Sequence, residues 1–183
     1  NGFTVQHSGT VSYNDAGIQL SRYGHTSSNH TIFNNIIKEN WDGLYILYSF
    51  NNHFYNNIIE GNYNNGFFSH SQMYYSKVSN NIIRNNGHYG MYLYSSEFNE
   101  IMNNIIENNS ILNIILEECI QNVIINNYVA HSKYGIVVYV RSWLNQIISN
   151  NITQNEYGLH VYSAQYTLVK KNNFINNTVH AWF

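Results

Sequence analysis

The chain is 183 residues long, 44% hydrophobic and only 10% charged, with no proline, one cysteine and a formal net charge of −2. That length makes one domain with ample apolar material for a core. Its eight Lys plus Arg are too scattered to form a nucleic-acid surface, and no stretch approaches the ~20 consecutive apolar residues of a membrane span.

The sequence begins at Asn1 with no Met and no charged-then-apolar leader, so it reads as a processed product or a segment of something longer. Residues 1–16 read as a divergent first coil, in which Asn14 precedes the turn glycine Gly17, and residues 17–183 as regular repeats. Asn-Asn-Ile-Ile occurs at 34–37, 56–59, 80–83 and 103–106, followed by Asn-Asn-Tyr-Val at 126–129, Asn-Asn-Ile-Thr at 150–153 and Asn-Asn-Phe-Ile at 172–175. The second Asn falls at 35, 57, 81, 104, 127, 151 and 173, in steps of 22, 24, 23, 23, 24 and 22. Seven copies in register make this a repeat protein.

Each unit holds three short alternating stretches, such as Leu44-Tyr45-Ile46, His53-Phe54-Tyr55 and Ile58-Ile59, separated by Asn, Gly and Ser. Alternation bounded by such residues predicts strands. The reading is an all-β right-handed parallel β-helix, a solenoid of about eight coils of ~23 residues with three short strands per coil. At ~4.8 Å per coil the rod would be roughly 38 Å long. Leucine-rich repeats share the period range, but they need a Leu-dominated motif and helical spacing that are absent here.

The Asn column predicts an internal ladder of stacked side-chain amides, Asn35, Asn57, Asn81, Asn104, Asn127, Asn151 and Asn173. A Gly follows in most copies (Gly43, Gly66, Gly90, Gly135, Gly158), with Asn113 in its place once. The first and third residues after it form a core column, which turns the alternating residues outward. One outer face is therefore a strip of Tyr45, Phe68, His70, Tyr92, Tyr94, Glu117, Tyr139, His160 and Tyr162, with Ile115 and Val137 between them. Tyrosine rings beside His or Glu suit sugar rings, so this strip is the candidate site for carbohydrate or a partner chain. Stacking between neighbouring coils is the plainer role for the same rings.

The Asn-Asn-Ile-Ile...Asn...Gly-hydrophobic-x-hydrophobic...Ser...Asn unit, as in Asn80 to Asn99, resembles the repeats of the pectate-lyase-like superfamily, specifically NosD-type and archaeal cell-surface proteins. The resemblance implies three kinds of function: sugar binding or processing, a periplasmic copper-related role, or a passive surface module. Family enzymes act on polysaccharides with acidic clusters, or calcium with a basic residue. Here only Asp15 and Asp42 could face each other across two coils as a carboxylate pair, and Asp before a Gly turn is ordinary turn chemistry. Of Glu117 and Glu118, alternation leaves only Glu117 on the strip. The expected chain is thus non-catalytic, with a polysaccharide lyase, hydrolase or epimerase as the alternative.

The nine histidines, at 7, 25, 30, 53, 70, 88, 131, 160 and 180, occupy different repeat positions. Neither they nor Cys119, alone and without a disulfide partner, predict a metal site, and no cofactor is expected. Sequons at Asn29, Asn108, Asn151 and Asn176 make Asn29, Asn108 and Asn176 glycosylation candidates, with Asn29 in the longest insertion, Tyr23 to Asn29, the best placed; Asn151 is expected to be shut inside the ladder. The apolar Ala181-Trp182-Phe183 end offers no cap, which points to further domains or to identical copies stacking end to end into filaments. The expected setting is extracellular or cell-surface, or the periplasm, with polysaccharide or further copies of the chain as partners.

Overall fold

The computed structural model describes residues 2–9, 11 and 15–183, so Asn1, Thr10 and residues 12–14, among them the predicted Asn14, lie outside the described residues. The described strands form three parallel sheets of eight, seven and nine strands, each ordered turn by turn along the chain. This is a right-handed parallel β-helix of seven complete turns, preceded by a partial turn holding Thr4–Gln6 and Ile18–Leu20, where about eight coils were expected. One sheet carries the Asn-Ile strands such as Ile58–Glu60, a second the longest strands such as Phe67–Tyr74, and a third strands such as Lys77–Ser79. Among the described residues no helix is long and apolar enough to cross a membrane.

The corners explain the composition. Each bends through one residue in the left-handed backbone region, as at Asn56, Asn80 and Asn103, which Asn tolerates better than most residues. The next residue then turns inward. Asn57 shows what it does there: its backbone N–H and its Nδ2 both donate to Asn81 Oδ1 at 3.0 Å, while Nδ2 also donates to the Ile32 carbonyl on the preceding turn. The doublet thus divides its labour, the first Asn bending the chain and the second satisfying buried polar groups on both sides.

The ladder runs Asn35, Asn57, Asn81, Asn104, Asn127, Asn150 and Asn172. Its last two members correct the expected Asn151 and Asn173. Ser149 and Lys171 take the left-handed position in those turns, so the first Asn of each doublet turns inward and the second starts a strand, where Asn151 pairs with Tyr128 and Asn173 with Asn151. Inward Ile152 and Phe174, two residues after each true rung, continue the column of Ile37, Ile59, Ile83, Ile106 and Val129.

Two further ladders line the other corners. Asn40, Asn62, Asn86 and Asn109 form one, resumed by Asn155 and Asn177. Asn52, Ser76, Asn99, Asn122 and Asn145 form the other. Beside the last, Ser96, Cys119 and Ser142 stack as small internal residues, with the Cys119 N–H donating to Ser142 Oγ at 3.1 Å. Cys119 is fully buried, and burial pushes its thiol up to about 12, so it is a packing residue.

One turn breaks the pattern and repairs it. A Cβ on Gly90 would lie 2.5 Å from Asn109 Nδ2 of the next turn, which is why Gly stands at the start of the long strands that face a ladder Asn. In the following turn the ladder residue is Ser132, smaller by an amide, and the Gly position holds Asn113. The Asn113 side chain fills the gap: it accepts from Asn109 Nδ2 at 2.9 Å and donates to the Ala130 carbonyl at 2.7 Å. Asn113→Gly should therefore destabilise by about 1–3 kcal/mol by orphaning buried polar groups, and Ser132→Asn alone should do so by overpacking. The double variant should regain most of the loss in chemical denaturation; additive losses would contradict this compensation.

Candidate functional site

All nine predicted strip residues lie on the outer side of the long-strand sheet, and the structure divides them into three stretches. At the first turns the strip is covered. Tyr45 is only 2% exposed and Leu47 1%, while Tyr23, from the insertion, brings its hydroxyl to 3.3 Å from His70 Nε2. His70 also stacks on Tyr45, with ring centroids 5.8 Å apart. Burial lowers the His70 pKa, favouring the neutral imidazole. Tyr45 is thus a packing residue against Phe68 and His70 and not an open contact.

In the middle, Phe68 stacks on Tyr92 at 5.0 Å, and the Tyr92 hydroxyl donates to Glu117 Oε2 at 2.5 Å. Burial first, then the Glu117 carboxylate, drives the Tyr92 pKa upward, so this hydroxyl keeps its proton. At the far end Tyr139 stacks on Tyr162 at 5.4 Å and His160 on Trp182 at 5.2 Å. The predicted stacking ladder therefore exists in these two stretches.

Between them it is interrupted. In the register Tyr92, Ile115, Val137, His160, two successive turns put an aliphatic side chain where the others put a ring. The result is a groove of about 360 Å³, floored by Leu112, Ile115 and Val137 and walled by Tyr89, Tyr134, Tyr139, His160 and Glu117. Tyr134 and Tyr89 were not among the predicted residues. They come from a column one position before the Gly, which pairs as Tyr89, Leu112, Tyr134 and Tyr157. The repeated Tyr-Gly at 89–90, 134–135 and 157–158 was the available signal. Tyr94 stands on the neighbouring column, paired in register with Glu117.

The acidic candidates separate. Asp15 accepts from the Val11 N–H at 3.1 Å, whereas Asp42 Oδ1 accepts from the Asn65 N–H and Nδ2 and from Asn64 Nδ2. The Asp15 carboxylate thus serves its own loop, and the Asp42 carboxylate the corner of the next turn. Glu118 sits at a left-handed bend, which breaks the alternation, so it faces Arg141 at 3.0 Å and not the core. The sequon residues Asn29, Asn108 and Asn176 are exposed at corners, and Asn151 is half-buried on a strand.

Asp42 is fully buried with no partner on Oδ2, and burial raises its pKa from 3.8 to about 6, against the pull of the Asn65 and Asn64 hydrogen bonds. A raised folded-state pKa means that the native state holds the proton more tightly, so this contribution to stability is full below pH ~4 and lost as pH rises through ~6. Asp42→Asn should accordingly stabilise the protein at pH 8 by up to about 3 kcal/mol, and hardly at pH 4. Melting curves at the two pH values check this, and an equal shift at both would contradict it.

Among solved structures, the fold is similar to the Azotobacter vinelandii mannuronan C-5 epimerase AlgE6 A-module, at 14% identity and a TM-score of 0.57. The match covers 85% of this chain but only 61% of that one. The AlgE4 A-module of the same organism matches at 12% identity and a TM-score of 0.45, covering 92% of this chain and 76% of that one. The AlgE6 likeness shows the fold, as the pectate-lyase-like repeats implied. No curated protein matches the sequence significantly. The family model described as periplasmic copper-binding protein (NosD) matches residues 1–182, and the chain belongs to the NosD family.

Proposed function

We propose that this NosD-family chain is a non-catalytic β-helix module that binds a polysaccharide of the cell envelope or surface in the groove on its long-strand sheet. The observation that carries the reading is the interruption of the aromatic ladder. A ladder serving stability alone gains from continuous stacking, whereas Ile115 and Val137 open an apolar floor between tyrosine walls with polar tips. A pyranose ring laid there would cover its C–H face on Tyr134 or Tyr139 and reach Glu117 or His160 with its hydroxyls. The family's periplasmic description agrees with an extracytoplasmic setting.

Two features favour binding over bond cleavage. Glu117 is the single acidic side chain lining the groove, while glycoside hydrolysis needs a carboxyl pair about 5–9.5 Å apart. Its Oε2 is also held by the Tyr92 hydroxyl.

The donor set does not fit a copper site. Of the soft ligands that copper(I) prefers, Met73, Met91 and Cys119 are fully buried in the core, and the half-buried Met102 is paired in its sheet with Ser79 and Ile125, neither a copper ligand. The histidines are dispersed, with His7 against Glu39, His53 against Ser79 and His70 against Tyr23. Among the described residues no three His, Cys, Asp or Glu converge.

Tyr134→Ala combined with Tyr139→Ala should weaken oligosaccharide binding about tenfold or more in calorimetry, with no new reducing ends released by the wild type. Unchanged affinity in the double variant contradicts the reading. Release of reducing ends would favour the hydrolase alternative.

A further inference from the structure

Resting on the saccharide reading of the groove, we propose that it selects a positively charged sugar, the ammonium group of an N-deacetylated amino sugar, held across tyrosine faces against the Glu117 carboxylate. The groove combines the two elements that recognise an ammonium ion. Its walls are ring faces, from Tyr89, Tyr134 and Tyr139, and the carboxylate in its lining is Glu117. A cation within about 6 Å of a ring centroid is drawn by the ring's quadrupole, more strongly where water is partly excluded.

The protein already shows one such contact. Lys133, which does not line the groove, places its own ammonium 5.5 Å from the centroid of the Tyr134 ring. That wall residue therefore takes a cation in the geometry required of the ligand.

Glu117 is positioned to serve as the counter-charge. The Tyr92 hydroxyl fixes one of its oxygens at 2.5 Å, and an ionised carboxylate offers about four acceptor sites in all, so acceptor capacity remains for a ligand N–H. The neighbouring Glu118 adds a second carboxylate, paired with Arg141 at 3.0 Å. On the next column, the Glu118 charge leads in raising the Tyr94 pKa, with partial burial and Glu117 adding to it and Arg141 offsetting part. An anionic sugar laid in the groove would meet the Glu117 carboxylate as a like charge, a built-in discrimination against uronates.

The test is calorimetry at low salt with three tetrasaccharides: a chitosan tetramer at a pH where its amines are protonated, its fully N-acetylated counterpart, and tetragalacturonate. The chitosan tetramer should bind about tenfold tighter than the neutral one, and this preference should fall with added salt. Glu117→Gln retains an acceptor for Tyr92 and should abolish the preference, bringing the charged and neutral tetramers to equal affinity with the melting temperature unchanged. Lys133→Ala removes a like charge beside the Tyr134 wall and should tighten chitosan binding about twofold. Equal affinity for the charged and neutral tetramers, or preference for the uronate, overturns the charge assignment while the groove stands as a saccharide site. Binding of none of the three overturns the inference, and the Tyr134 and Tyr139 variants then judge the groove separately.

Discussion

Everything in this molecule depends on what happens inside the corners. A β-helix must turn three times per coil with its backbone packed against the turns above and below, so every inward N–H needs an acceptor that water cannot supply. Here the acceptor is the side-chain oxygen of the residue one turn further on, which receives both a backbone and a side-chain donor, as Asn81 does from Asn57. The Asn residue that gives the acceptor also spends its own donors on the neighbouring turns. The ladder amides are consequently closed to water without being left unpaired.

That solution constrains the positions around it. A ladder amide occupies the space beside the start of each long strand, so glycine is required there, and the one Asn in that column coincides with the one shortened rung, Ser132. The core follows two residues behind each rung. With corners and core settled by inward residues, the outward positions of the long-strand sheet are free of structural duty except for stacking, which is where the groove between Tyr92 and His160 arises.

The period, the sheet class and the outward strip were legible because they rest on spacing and alternation, which one sequence displays directly. The last rungs were misplaced because Asn doublets were aligned on their second member, whereas Ser149 and Lys171 supply the bend there and shift the inward position to Asn150 and Asn172. Ile152 and Phe174, held two residues behind the rung, carried the correct register. The second ladder was also present as doublets, Asn85-Asn86, Asn108-Asn109 and Asn176-Asn177, but outside the repeated Asn-Ile phrase. The groove was not legible for a different reason: concavity comes from the difference in size between neighbouring turns and from a tyrosine column on the far side of the Gly. The contact of Tyr23 with His70 likewise depends on where a long insertion folds, which no local pattern specifies.

Amide hydrogen exchange resolved by residue tests the corner account most directly. The backbone N–H groups of Asn57, Asn81, Asn104 and Asn127 donate to side chains, not to the sheets. The account predicts that they exchange only through global unfolding, as slowly as the central strand amides. Exchange of these four at the rate of exposed corner amides would show that the ladders do not hold the fold together.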